Sequence, residues 1–242
     1  MSSSPIEQFK VHTIGSDIFL GNLNISFTNS SLFMGITVAL IMLFFYVTLK
    51  RTSLVPGKLQ AMSELSYDFV AGIAKENMSE KAKIFFPFVY TLFMFFLFGN
   101  LIGIVPYSFA FTSQLVITCT ISGFILVLTT IYGIYKNGFR FLKVFIPSGV
   151  PVVLLPLMFI IEVLSYFAKG VSMGVRLFAN IMAGHIMIDI FAGFIIALGI
   201  FGVLPFSFTV ILYAFEMLIA CLQAYIFTIL ACIFFDQAVN FH

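Results

Sequence analysis

Six ionisable side chains, Glu162, Lys169, Arg176, His185, Asp189 and Glu216, stand in a stretch from 151 to 236 that is otherwise almost wholly apolar, and Asp236 closes it. A charge inside a bilayer costs about 2.5 to 3.5 kcal/mol even on the lenient insertion scale, so such groups need partners or a wet cavity. Arg176 is the sharpest case. A guanidinium stays protonated even when desolvated, so it cannot pass a proton along and must act by its field. A permanent cation favours the ionised form of any carboxylate brought within about 4 to 6 Å, whereas lipid favours the protonated form. An arginine of this kind suits a device that loads and unloads a moving carboxylate. The competing reading is an arginine satisfied by Glu162 or another helix for packing alone.

Helical geometry relates these groups. At about 100° per residue, Glu162, Lys169 and Arg176 fall within about 40° of one face, and Asn180 follows one turn beyond Arg176. The Asn180 amide is suited to orienting the guanidinium or a water, or simply to polar packing between helices. His185, nine residues past Arg176, lies about 180° round and about 13 Å along, which favours an aqueous route beside the arginine over a direct contact. An imidazole titrating near pH 6.5 suits proton exchange, although a histidine in an apolar helix also serves as a plain hydrogen-bonding group. Glu216 and Gln223, seven apart, share a face. An antiparallel hairpin turning near residue 200 sets Glu216 against His185 and Gln223 about opposite Arg176 or Asn180. Asp189 either orients His185 and extends the route or marks the interface near the turn. Asp236 is expected at the closing water interface, with no assigned role.

The elements that hold these residues are membrane elements. The 242-residue chain is 61% hydrophobic and 9% charged, against roughly 25% charged in an ordinary soluble domain. Residues 84–135 form a run of 52 without one Asp, Glu, Lys, Arg or His, enough for two crossings. The fold class is all-α polytopic membrane protein, one membrane domain over 1–242. A polar segment over 1–30 shows no basic flank followed by an apolar core, so insertion by the chain's own spans is expected. A first span covers 31–49 and a transmembrane hairpin 84–135. Between them an amphipathic helix over 58–83 carries Leu59, Met62, Ser66, Phe69 and Ile73 on one face and Glu64, Asp68, Lys75 and Glu76 elsewhere, the pattern of a helix lying at the surface. Lys and Arg number six between the first and second spans, none between the second and third, and three just after the third; this bias puts the N-terminus outside.

From 151 to about 198 the chain stays apolar over 48 residues, about 72 Å as one helix, more than twice a hydrocarbon core of about 30 Å. A long, strongly tilted helical hairpin over 151–236 is preferred to two short crossings, with Gly199, Gly202 and Pro205 supplying the turn. Cys119, Cys221 and Cys232 all lie in apolar segments and read as small hydrophobes, not a disulfide framework.

The run Lys169-Gly170-Val171-Ser172-Met173-Gly174-Val175-Arg176-Leu177-Phe178-Ala179-Asn180-Ile181-Met182-Ala183-Gly184-His185 closely resembles the signature of subunit a of the F-type ATP synthases. Asn100-Leu101-Ile102-Gly103-Ile104-Val105-Pro106-Tyr107, the Glu216 to Gln223 spacing and Ser4-Pro5-Ile6-Glu7-Gln8-Phe9 extend the likeness over essentially the whole chain. The resemblance implies Arg176 as the essential arginine facing the c-ring carboxylates, Asn180 and Gln223 as its polar neighbours, and His185 and Glu216 in the outer half-channel. Glu162 and Lys169 match the polar residues before the signature. Many bacterial members exchange the acid and the imidazole of the pair at 185 and 216; the order here is that of mitochondrial and alphaproteobacterial relatives.

The resemblance further implies a proton-translocating stator subunit, with the c-ring and the membrane subunits of the peripheral stalk as partners and a mitochondrial inner membrane or a bacterial plasma membrane as its place. The mitochondrial membrane is preferred on composition. No cofactor, metal or nucleic acid is expected. No Walker-type phosphate loop is present, so ATP chemistry is assigned to partner subunits and the chain is not itself an enzyme. A stand-alone ion channel or secondary transporter, with Arg176 binding an anion, is the alternative; the lack of internal inverted repeats counts against it. A purely structural assembly subunit is the third reading.

Overall fold

A computed structural model describes the chain apart from residues 1–9, 15–18, 21–22, 25, 51–52, 54, 106–107, 139–140, 142–144, 146–153 and 241–242. Among the described residues six α-helices carry the fold: α1 (Asn29–Leu49), α2 (Lys58–Asn77), α3 (Phe86–Ile104), α4 (Leu115–Asn137), α5 (Leu155–Leu198) and α6 (Val203–Val239). Among the described residues, extended structure is limited to one antiparallel two-residue pairing, β1 (Phe19–Leu20) with β2 (Leu23–Asn24), and an isolated antiparallel bridge between Thr13 and Thr28. The all-α membrane architecture expected from the sequence is therefore observed, with helical segments at Asn29–Leu49, Ala82–Ile104, Leu115–Asn137 and Leu155–Val239 long and apolar enough to cross a bilayer.

Local chemistry sets the boundaries. Thr28 caps α1, its hydroxyl accepting from the Ser31 N–H at 3.3 Å, which satisfies one of the orphan donors of the first turn. The helix stops just before Lys50. The surface helix is shorter than the expected 58–83. It ends at Asn77, and a short 3-10 turn, Ala82–Phe85, leads into α3. Its apolar residues also divide: Ile73, with Val70 and Ala74, is buried, whereas Leu59, Met62 and Phe69 are about half exposed. Gly138 follows α4 with φ +56° and Gly199 follows α5 with φ +53°, the left-handed conformation that ends a helix and that only glycine adopts without penalty. The turn itself is a 3-10 segment, Gly199–Gly202. Pro205 lies inside the first turn of α6, where its missing N–H has no partner to lose.

At about 1.5 Å per residue, the 44 residues of α5 and the 37 of α6 correspond to roughly 66 and 55 Å, too long to stand upright in a bilayer. Both must tilt, as the hairpin reading requires.

The chain divides into two compact units. The first gathers the described residues of Met1–Thr52, Met94–Leu115 and Leu177–Ala224. Within it the α5–α6 hairpin is antiparallel: Phe191 lies against Phe208 with ring centroids 4.9 Å apart, and Gly202 is so close to Ile195 that an added Cβ would sit 2.7 Å from the Ile195 carbonyl oxygen. The end of α3 joins this unit through Asn100, fully buried, whose amide donates to the Ala220 carbonyl at 3.4 Å. Phe44 of α1 meets Phe98 of α3 at 5.7 Å.

The second unit gathers Ser53–Phe93, Val116–Arg176 and Tyr225–His242. Aromatic rings knit it. Phe85 stacks on Phe235 at 4.4 Å and meets Tyr132 edge-on at 4.7 Å; Tyr166 contacts Phe234 at 5.5 Å. Tyr166 also bonds by its hydroxyl to Thr130 at 3.0 Å and Thr129 at 3.3 Å, so the polar tip of a buried tyrosine finds partners in α4.

Candidate functional site

The site is built on α5 and the opening of α6. In the second unit, α5 approaches α4 through glycines: a Cβ at Gly170 would sit 2.4 Å from Leu126 Cδ1, and one at Gly174 would sit 2.9 Å from both the Cys119 Cα and the Thr118 carbonyl oxygen. Glycines four apart let two helix backbones close on each other where lipid gives no hydrophobic drive to association. Arg176, two residues beyond Gly174, lies about 200° round the helix from it. The glycine stripe thus docks α5 on α4 and turns the arginine away from that contact. Arg176 and Lys169 are exposed, and Glu162 is half-buried. Among the described residues Arg176 enters no ion pair.

In the first unit the structure brings His185 and Glu216 together, Nε2 to Oε1 at 3.7 Å, as the count from the hairpin turn expects. Glu216 is 4% exposed. Its carboxyl lies against Gly184, where an added Cβ would stand 2.7 Å from Oε1 and 3.1 Å from Cδ. The glycine before the histidine is therefore the seat of the acid. Both Glu216 oxygens are buried and accept no hydrogen bond among the described residues. Asp189, half-buried one turn beyond His185, is its electrostatic neighbour. Tyr213 is a neighbour of both Glu216 and Asp189.

Gln223 is buried at 5% exposure, one heptad past Glu216 on α6, and Asn180 is half-buried on α5. No direct hydrogen bond joins Asn180 to Gln223 among the described residues. Asp236 takes a structural part: its Oδ1 accepts from the Ser79 N–H at 2.8 Å and from the Asn240 amide at 3.2 Å, tying the end of α6 to the link before α3. Gly184, Tyr213 and the glycines at 170 and 174 were not singled out by sequence reasoning. The Gly170 to Gly174 spacing was a usable signal, whereas nothing in the sequence marks Gly184 as a seat.

A family model described as ATP synthase A chain matches residues 31–236. The chain belongs to that family. ATP synthase subunit a of Pelagibacter ubique (strain HTCC1062) is 50% identical over 243 residues, covering 100% of both chains. The subunits a of Chelativorans sp. (strain BNC1) and Rhodopseudomonas palustris (strain BisB5) are each 45% identical over 247 residues, covering 99% of both chains. Membership fixes the broad class: a multi-pass membrane subunit of ATP synthesis and proton transport, in keeping with the four apolar helical segments. These three relatives are bacterial, so they lend no support to the mitochondrial membrane and fit the plasma-membrane alternative. Of the motifs behind the resemblance, Ser4 to Phe9, Pro106 and Tyr107 lie outside the described residues, as do the cations Arg51, Arg140 and Lys143 and the first residues of the expected 151–236 hairpin.

Proposed function

We propose that the chain is the proton-translocating stator subunit of an F-type ATP synthase, lying in a bacterial plasma membrane with its N-terminus outside and acting as one membrane domain. The observation that carries this reading is the apposition of His185 and Glu216 at 3.7 Å inside an apolar hairpin. At that separation the two groups stand about half an ångström beyond hydrogen-bond reach, so a small approach of the side chains lets the acid and the imidazole exchange a proton. Glu216 and His185 form the entry half-channel, with Asp189 extending it. Arg176 faces the rotating carboxylates of a c-ring, holding each in the ionised form while the two are close. A neutralised carboxyl then travels round through lipid and releases its proton by a second half-channel, bordered by Glu162 and Lys169. Asn180 and Gln223 orient the guanidinium between the two routes. The glycine contact with α4 supports this reading because it leaves the arginine exposed for a neighbouring ring. Peripheral-stalk subunits hold the chain still, and ATP is made elsewhere in the complex. One elementary charge crossing 100 mV releases about 2.3 kcal/mol, so several protons are needed per ATP.

Purification in mild detergent tests the assignment. A stator subunit is recovered with a ring of small hairpin proteins, and recovery of a lone chain that conducts ions by itself favours the channel or transporter alternative.

A further inference from the structure

Away from the proton route, α2 and the entrance to α3 enclose a crevice of about 350 Å³ lined by Tyr67, Ala71, Ala74, Lys75, Lys83 and Phe86. Two lysines line it from different elements, Lys75 from the last turn of α2 and Lys83 from the 3-10 turn before α3. Its wall is aromatic: Tyr67 meets Phe86 edge-on at 5.2 Å, and Phe86 stacks on Tyr90 at 6.1 Å. Ala71 and Ala74 are small enough to leave the space open. No acid lines it. Glu80 pairs with Lys83 but is almost fully exposed, so an anion in the crevice competes with a weak surface ion pair.

We propose that this crevice is a headgroup site for an anionic phospholipid. Two lysines and an aromatic wall sharing one crevice, beside the start of a membrane span at Ala82–Ile104 with Ile84 exposed, match a phosphodiester with acyl chains running down α3. Juxtamembrane basic side chains on the inner face attract anionic lipid in this way. A zwitterionic choline lipid brings its own cation and gains less. Free phosphate shares the chemistry of the amines but has no use for the aromatic wall. The inference rests on α2 lying at the inner membrane surface, as in the function proposed above, and shares no residue with the proton route.

The test is lipid retention by the purified complex, titrated with phosphatidylglycerol or phosphatidylcholine in detergent and read by native mass spectrometry. The complex should keep phosphatidylglycerol in preference to phosphatidylcholine. The double variant Lys75→Gln/Lys83→Gln should bind one phosphatidylglycerol fewer, or need a roughly thirty-fold higher concentration to fill that site. Lys75→Arg/Lys83→Arg should retain it, as should Lys58→Gln, outside the crevice. Excess inorganic phosphate should not displace it. Equal retention of the two lipids, unchanged binding in the glutamine variant, or displacement by phosphate would each overturn the proposal, the last assigning the crevice to a soluble anion. If the glutamine variant does not assemble, the lipid preference and the phosphate competition of the natural complex decide. Proton pumping by the same complexes after reconstitution into sealed vesicles separates the two readings: failure of lipid selectivity with intact pumping removes this site alone.

Discussion

Replacing Gly184 by alanine tests how closely the entry site is built. The added methyl would stand 2.7 Å from Glu216 Oε1, and ordinary contact begins near 3.4 Å, so the carboxyl must retreat by roughly 0.7 Å within a buried site. Overpacking of this kind costs about 1 to 3 kcal/mol. Relief by moving the carboxyl alters its approach to His185, now 3.7 Å. If that cost falls on the transfer step, proton-driven ATP synthesis in vesicles should slow by roughly five- to 150-fold, at about 1.36 kcal/mol per decade. Gly193→Ala is the control on the same helix, because a Cβ there meets nothing within 4 Å. The assay compares ATP synthesis under an imposed proton gradient in vesicles carrying equal amounts of assembled complex. An assembled Gly184→Ala complex that runs at the rate of the natural one would refute the idea that Glu216 must sit against position 184.

Glu216→Gln keeps the shape of the side chain and removes its capacity to carry a proton. It should slow proton entry, measured as flux through the membrane sector, and flux equal to the natural protein across pH would remove Glu216 from the route. Gly174→Ala should cost about 1 to 3 kcal/mol, because the clash is with the Cys119 Cα and the Thr118 carbonyl and a backbone cannot rotate aside. The sign of that change is a lower thermal transition and a lower yield of the assembled subunit; unchanged thermal stability would show that α4 and α5 are not in close contact. Asp236→Ala leaves the Ser79 N–H without its acceptor, a loss of about 1 to 3 kcal/mol in stability with pumping per assembled complex unchanged.

Much of this was legible in the sequence because the bilayer imposes length and polarity together. The 52-residue uncharged run and the position of Lys50 delimit helices, and the turn at residues 199–202 fixes the hairpin register by counting, which is why His185 and Glu216 were expected to meet. The end of α2 was misjudged by several residues: its apolar stripe stops at Ile73, yet the helix was carried up to the next span, across a turn tied by contacts such as Asp236 with Ser79 that lie far apart in the chain. Gly184 was missed for a similar reason. Its importance is steric, and a glycine reports nothing about what occupies the space its side chain leaves. The role of Asp236 was also out of reach, because an acid at a helix end looks the same whether it faces water or an unpaired amide.

The claim on which the rest depends is that an uncompensated guanidinium at position 176 sets the charge of a carboxylate passing beside it. Arg176→Ala in the whole complex, with ATP-driven acidification of vesicles as the readout, tests it most directly. The subunit should still assemble with its partners, since Arg176 is exposed and enters no ion pair among the described residues, while acidification coupled to ATP hydrolysis disappears. Normal acidification by the assembled variant would contradict the account.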